Sequence, residues 1–541
     1  MHHRLLPHLA LLTGMLLACG PTSSGSGTTG TTTTTSSTTS STSSTTSGAG
    51  GGTTSTAGTG GAGGSSTTGA GGSGGAATTT GAGGSGGAGT TTTTAGSGGA
   101  GGAGTTTTTA GSGGAGGAGT TTTTAGSGGA GGAGGGGAGG TVLWTKVFPQ
   151  APGWMVPLTN RSVAVDGAGN IVIAGGFTGA MDFGALHLVA FIHGTGYVAR
   201  FDATGNPLWA KLVTGDVEGG RASATVNAAG EVLVNATGTS NFGTNYAHII
   251  ALDPAGNQLW KKDYSSAVDY GFSDGYGIDD QGRVSLSGSV GGGSVNFGGG
   301  AIGPNKTFFL AFDAAGAFLW QKLPGYPLSV DASGDMAVSS PSASFGCGPA
   351  SAQVARLDAT GGCLWAKAFA GMVPSKLRVV ASPSGDMLVV APYTGLVDFG
   401  CGPVSSATTA LAVTQLSAAG ICQWTKSFTG QGFALNGVPA FGASPTGAGQ
   451  WIVWAGFTGQ IDFGQGPLTS QNALATMAIA KLDSAGASTW STLVHGGVSD
   501  TQLAGTPSGG VILASSADGI DLGQGNLLPG GSGIVLASLA P

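Results

Sequence analysis

Six times in this chain a short polar turn is followed at a fixed distance by a tryptophan. The copies are Phe201-DATGNPL-Trp209, Leu252-DPAGNQL-Trp260, Phe312-DAAGAFL-Trp320, Leu357-DATGGCL-Trp365, Leu416-SAAGICQ-Trp424 and Leu482-DSAGAST-Trp490. A seventh tryptophan, Trp144, stands in VLWTKVF with no such turn before it. Successive tryptophans lie 65, 51, 60, 45, 59 and 66 residues apart. A fixed motif at loosely fixed spacing marks a repeat architecture in which the loops vary and the unit does not.

Each unit reads as four short strands. In the first they are Ser162–Asp166, Ile171–Phe177, Tyr197–Asp202 and Pro207–Val213. Gly and Asn at 167–170 and 203–206 supply the positive φ of tight hairpins, and Asp166 and Asp202 can close Asx turns. No capped 3.6-residue periodicity is present, so helix should be nearly absent. Repeated four-stranded units predict an all-β fold, a β-propeller. The two ends argue for closure. Gly533–Leu539 is a third strand with no fourth after it, and VLWTKVF is a fourth strand with no third before it. Joined, they complete one blade and hide two sheet edges. The tryptophan spacing across that join is 54, in family with the rest. Seven blades are expected over 142–541.

A second element recurs after each second strand: Asp182-Phe183-Gly184, Asn241-Phe242-Gly243, Asn296-Phe297-Gly298, Ser344-Phe345-Gly346, Asp398-Phe399-Gly400, Asp462-Phe463-Gly464 and Asp521-Leu522-Gly523. One such triplet could be a kinase magnesium ligand; seven, with no accompanying lysine strand or catalytic loop, are structural. The phenylalanine is expected to plug the gap between blades, and the glycine to turn the chain. Residues 142–541 resemble the bacterial seven-bladed β-propeller repeat family, whose units combine these triplets with the Asp–Gly turn and the Trp-x-Lys strand. The resemblance implies an architecture and no particular activity.

The N-terminus reads MHHRLLPHLALLTGMLLAC, a short apolar stretch too brief to span a bilayer. Its end, Leu16-Leu17-Ala18-Cys19, resembles a bacterial lipobox. That resemblance implies cleavage after residue 18 and a lipid anchor on Cys19. Gly20, in place of the aspartate that favours inner-membrane retention, implies delivery to the outer membrane or cell surface. Residues 20–140 contain only Gly, Ala, Ser and Thr apart from Pro21. With no large apolar side chain, nothing offsets the entropy of ordering, so residues 19–141 are expected to be a disordered tether. At coil dimensions such a tract spans roughly 60 Å. Every acidic residue lies beyond it. The 17 Lys and Arg and 23 Asp and Glu give a net charge of −6. No basic footprint exists, and a nucleic-acid partner is excluded. A monomer is expected.

Four cysteines follow Cys19. Cys347 and Cys401 come directly after the Phe-Gly element; Cys363 and Cys422 precede a tryptophan by two. Both positions are filled together in the fourth and fifth units and in no other. Joint occupancy predicts the disulfides Cys347–Cys363 and Cys401–Cys422 among three connectivities, in an oxidising compartment. Zinc would need C-x₂₋₄-C spacing, which is absent.

For chemistry the chain offers little. It has no G-x-S-x-G elbow, no H-E-x-x-H and only two glutamates, Glu218 and Glu231. Of the histidines His187, His193, His248 and His495, the first two lie six apart in one loop, a weak suggestion of a metal, and read as exposed loop residues. No cofactor is called for. Asp263–Asp280 departs from the repeat and reads as a long link between the second and third blades, carrying Tyr264, Tyr270, Asp274 and Tyr276. A second long link, Pro149–Arg161, carries Trp154. Aromatics beside carboxylates suit stacking on a sugar, contact with a peptide or, less directly, a calcium ion. The expected function is therefore a surface-tethered binding or scaffold module with a protein or carbohydrate ligand on the face of the inter-blade links. The alternative is a propeller enzyme, a lyase, hydrolase or quinoprotein. Ala251-LDPAGNQLW is similar to the tryptophan-docking repeat of quinone-dependent dehydrogenases but is one residue short.

Overall fold

Asp166 shows how the sequence makes its hairpins. Its carboxylate accepts hydrogen bonds from the backbone amides of Ala168 (2.9 Å) and Asn170 (2.8 Å). Gly169 takes φ +85°, a conformation that strains any side chain. The flanking strands, Thr159–Val165 and Ile171–Phe177, are thereby set antiparallel. The same carboxylate turn recurs at Asp202, Asp253, Asp279, Asp313, Asp331, Asp358 and Asp483.

The computed structural model describes residues 139–541 apart from 151–158, 191–193, 215–217, 240–244, 267–269, 350, 372–376, 431–433, 436–437, 440, 471–475, 497–500, 517–518 and 529–532. The lipobox, Cys19 and the tract up to residue 138 lie outside the described residues, as do Trp154, His193 and Phe242.

Seven four-stranded antiparallel sheets form. Blade 1 runs outward from Thr159–Val165 through Ile171–Phe177 and Thr195–Phe201 to Pro207–Leu212. Blades 2 to 6 repeat this order, from Glu218–Val226 to Ser488–Val494. The innermost strands, which include Tyr270–Ile278 in blade 3 and Thr501–Gly505 in blade 7, touch one another in sequence, and the last touches the first. Small hydroxyls lock some of these contacts: Ser162 Oγ accepts from the Ala224 amide at 2.8 Å, and Ser444 Oγ from the Gly505 amide at 2.9 Å. The ring is a seven-bladed propeller. Among the described residues its only helix is the three-residue 3₁₀ turn Gly447–Gly449.

Blade 7 closes as the two ends predict. Val142–Pro149 is its outermost strand and pairs with Gly533–Leu539 from Val142↔Leu539 to Pro149↔Gly533. Even the turn is rebuilt from two pieces of chain. Gly140 N donates to Ala540 O (3.1 Å) and Ala540 N to Thr141 O (2.8 Å). In blade 1 the continuous chain does the same, Gly205 N to Asp202 O (3.0 Å) and Asp202 N to Asn206 O (2.9 Å).

Seven apolar clusters fill the seven gaps between facing sheets. The recurring tryptophan spans each gap. Trp209 of blade 1 packs on the Gly256 turn of blade 2, where an added Cβ would come within 2.8 Å of the indole. Its Nε1–H donates to Pro254 O at 3.0 Å. Trp260, Trp320, Trp365 and Trp424 donate to Ala314, Ala359, Ala418 and Ser484 of the next blade in the same way. One side chain thus buries apolar area and satisfies its donor across every such joint.

Candidate ligand site on the rim

Where it is described, the Phe-Gly element leaves its blade after the second strand and folds over the rim. In blade 1 it is the hairpin Ala180–Phe183 with Leu186–Val189. Phe183 is fully buried, 5.3 Å from Phe148 of blade 7 and 5.7 Å from Phe201 of its own blade. It fills the gap, as the sequence predicts. Among the described residues four gaps are also clasped by single backbone bridges from the preceding outer strand: Gln150↔Met181, Ala370↔Asp398, Gly430↔Ile461 and His495↔Asp521. The clasp covers part of an otherwise bare strand edge.

In blades 1, 3 and 6 the tip of the excursion reaches the start of its own outer strand. A Cβ on Gly184 would sit 3.2 Å from Pro207, one on Gly298 2.9 Å from Phe318, and Gln465 Nε2 donates to Ser488 O at 2.5 Å. In blades 4 and 5 the same contact is covalent. Cys347 is bonded to Cys363 and Cys401 to Cys422, the two pairs expected from joint occupancy.

The segment 263–280 is not the long link that its composition predicts. The outer strand of blade 2 continues as Gln258–Ser266, and the inner strand of blade 3 starts at Tyr270, so only 267–269 separate them. Polar and glycine-rich as they are, these residues pair along Asn245↔Ser266 and Tyr270↔Val290. Tyr264 stands edge-on to Phe297 at 4.9 Å, and its hydroxyl donates to Phe297 O at 3.5 Å. Burial pushes its phenol up to about 12. Tyr276 packs against the same cluster between blades 2 and 3. Tyr270 and Asp274 lie on the inner strand; their side chains are outside the described residues.

A pattern in the sequence accounts for Tyr264. It lies four residues after Trp260, as Phe148, Phe369 and Phe428 lie four after Trp144, Trp365 and Trp424. Each of those rings packs on the Phe-Gly phenylalanine of the next blade, at 5.3, 5.2 and 5.0 Å. Tyr264 is the blade 2 copy of that position.

His187 differs from its expected loop placement. His187 is on the hairpin strand Leu186–Val189, exposed, and its Nδ1 is paired with Asp182. His248 is on Asn245–Leu252 with only 12% of its side chain exposed. It occupies the place held in blades 1 and 3 by the buried Tyr197 and Phe308. Its Nδ1 meets Asp263 Oδ1 at 2.5 Å, and Lys261 Nζ meets the same oxygen at 2.9 Å. Burial pulls the His248 imidazole below its ordinary range, against the pull of the Asp263 bond. Burial raises Asp263, but hydrogen bonds from Lys261 and His248 outweigh it and hold the carboxyl low.

The gap between blades 3 and 4 departs from the aromatic-plugged joints. Four residues after Trp320 comes Pro324, not an aromatic, and the blade 4 excursion is eight residues, 344–351, between Met336–Ala343 and Ala352–Leu357. No backbone clasp forms there among the described residues. Tyr326 takes over the plug from a different direction, 5.6 Å from Phe345 and 6.4 Å from Phe309. An open cavity of about 210 Å³ remains, lined by Lys322, Pro324, Tyr326, Ser344 and Phe345 over Phe309. The Cys347–Cys363 bond fixes one wall, since Gly346 and Cys363 both line it. Lys322 Nζ donates to Gly361 O at 2.6 Å and lies 5.9 Å over the Trp320 ring. Among the described residues no group of three or more His, Cys, Asp or Glu is placed to hold a metal. Sequence reading missed this site because its features are not peculiar to it: Val213 and Val494 also stand where other joints have an aromatic, and the blade 2 strands are separated by fewer residues.

No family model matches the sequence, and no curated protein matches it. Among solved structures the chain is similar to the WD40 domain of SCAP from fission yeast, at 8% identity and TM-score 0.31, covering 73% of this chain and 95% of that one. A subtype N10 neuraminidase-like protein of A/little yellow-shouldered bat/Guatemala gives 8% and 0.28 over 73% and 98%. A Synechocystis apocarotenoid oxygenase mutant gives 13% and 0.29 over 73% and 93%. At those scores the likenesses carry no argument about this chain.

Proposed function

We propose that the chain is a lipid-anchored, surface-displayed propeller of the bacterial repeat family that it resembles, and that it binds a protein or carbohydrate ligand without transforming it. The lipobox at Cys19 supports anchoring at the outer membrane. The Gly/Ala/Ser/Thr tract supports a tether long enough to present the ring away from the bilayer. The observation that carries a binding role is the rim cavity between blades 3 and 4. It is concave, partly aromatic, edged by polar groups and braced by a disulfide, and it exists where the repeat is broken and not where the repeat needs it. The enzymatic alternative draws on the His248–Asp263 pair, which puts a hydrogen-bonded imidazole where other blades bury an apolar ring.

The test compares the full chain with Ser344→Trp, which places a large ring at the cavity mouth. An array of glycans and peptides should give at least one ligand whose binding is lost in the variant while its melting temperature holds. Ligands that bind both proteins equally would move the site elsewhere. Turnover of a bound glycan or peptide, abolished by His248→Gln, would favour the enzyme.

A further inference from the structure

We infer that the cavity between blades 3 and 4 accepts a single neutral pyranose ring, such as the exposed end of a glycan; the inference rests on the binding role proposed above. Size is the first argument. A cavity of roughly 150 Å³ holds one benzene ring, and this one, at about 210 Å³, holds one six-membered ring with its substituents and little more. The surface chemistry is the second. Phe345 and Tyr326 form an aromatic corner, with buried Phe309 behind it. A pyranose presents an axial C–H face to such a ring and hydroxyls around its edge. Ser344, Tyr326 and Lys322, all lining this cavity, bring hydrogen-bonding side chains to it. A phenyl side chain would offer the Ser344 and Tyr326 hydroxyls no hydrogen-bond counterpart.

Charge is the third argument. Lys322 already donates to Gly361 O, and its charge faces Asp358, which it helps to hold low after the Thr360 hydrogen bond. Lys322 is the cation among the lining residues, and its ammonium is already engaged by Gly361 O, so an acidic sugar would have to compete with that bond. Rigidity is the last. Phe345-Gly346-Cys347 is tied to the outer strand by the disulfide, so little ordering has to accompany binding.

The experiment is saturation-transfer NMR on the full chain with methyl glycopyranosides of neutral hexoses and N-acetylhexosamines, beside a panel of aromatic-containing peptides. At least one glycoside should receive saturation from the protein. Its affinity should fall roughly tenfold or more in Tyr326→Ala and in Ser344→Trp, and far less in Tyr326→Phe, which keeps the stacking ring. Ser344→Trp removes no packing, so it decides the matter if Tyr326→Ala fails to fold. A glycoside that binds both variants as tightly as the parent overturns the assignment to this cavity. A peptide lost in both variants, with no glycoside bound, overturns the sugar and leaves the binding role standing. No probe of either kind responding to either variant overturns both.

Discussion

Trp490 packs on Gly140 as Trp209 packs on Gly256, although Gly140 and the blade it joins come from opposite ends of the described chain. A Cβ at Gly140 would lie 2.8 Å from the indole, and its φ of +78° matches the +82° of Gly256. One detail differs. Among the described residues the buried Trp490 Nε1–H has no acceptor, whereas Trp209, Trp260, Trp320, Trp365 and Trp424 each donate across the gap. The carbonyl that serves this role elsewhere belongs to the residue two before the glycine, which here is position 138, outside the described residues. The seam reproduces the shape of a blade joint.

Closure should therefore depend on residues 142–149. A chain truncated to begin at Ser162 loses the outer strand of blade 7 and, with it, Phe148, which is 2% exposed against Phe183 and Phe201. Losing such a ring alone costs about 3–5 kcal/mol, and the Gly533–Leu539 strand becomes a bare edge. The truncated chain should melt much lower or aggregate. A melting curve superimposable on that of 139–541 would refute the closure argument.

Tyr264 should behave as core. Tyr264→Ala removes the ring against Phe297 and should cost about 2–3 kcal/mol in urea unfolding, discounted for its half-buried state. Tyr264→Phe should stay within about 1 kcal/mol, because the hydroxyl bond at 3.5 Å is long. A Tyr264→Ala variant of full stability and lost ligand binding would return this residue to the surface role that its sequence neighbourhood predicts.

Tyr264 also shows what the sequence does and does not reveal. Blade number, strand order, closure and both disulfides follow from motifs that recur in register, because repetition separates the fold's requirements from accident. Tyr264 and Tyr276 read as a ligand cluster only while 263–280 is treated as one irregular stretch. Aligned on Trp260, Tyr264 falls into the column of Phe148, Phe369 and Phe428. His248 is the converse: a plain histidine in the sequence, and a departure once it is seen in the place of Tyr197 and Phe308. The cavity beside Pro324 is harder still, since it depends on how far a shortened excursion reaches, which only packing decides.

Both disulfides should stabilise the ring. They close separations of 16 and 21 residues, worth about 3 kcal/mol each in the chain-entropy account. Reduction should lower the melting temperature, and Cys401→Ser with Cys422→Ser should reproduce about half the loss. Only the Cys347–Cys363 pair braces the cavity, so Cys347→Ser with Cys363→Ser should weaken ligand binding as well. Equal binding by both double variants would remove the bracing role.

Acid should act on the fold through His248. Its folded-state value lies below the ordinary one, with burial the leading cause. The unfolded chain therefore binds more protons just below the usual histidine range, and stability falls as pH drops through that window. Asp263, held low, adds a second loss below the ordinary carboxylate range. His248→Phe, the blade 3 choice at Phe308, should flatten the first step and leave acid loss from other carboxylates. Melting temperature against pH for both proteins reads this directly; identical profiles would mean that His248 does not titrate in the transition.

The last expectation concerns a cation that lacks its usual counter-ion. Arg200 and Arg356 are buried on the third strands of blades 1 and 4, paired with Asp166 and Asp331 and donating to Gly230 O and Gly385 O of the next blade. Lys481 holds this place in blade 6, beside Gly509 of blade 7. The turn residue matching Asp331 is Thr446: Thr446 N donates to Gln450 O at 2.9 Å as Asp331 N does to Asp335 O. Among the described residues no carboxylate pairs with Lys481, and burial lowers its pKa. The unfolded chain then binds more protons below the ordinary lysine value, so stability should rise as pH climbs through that window. Thr446→Asp would rebuild the pair that blades 1 and 4 already carry. It should add about 1 kcal/mol near neutral pH and abolish the alkaline rise. Unfolding measured at neutral and alkaline pH decides it, and a Thr446→Asp variant that keeps the rise would show that the new carboxylate does not reach Lys481.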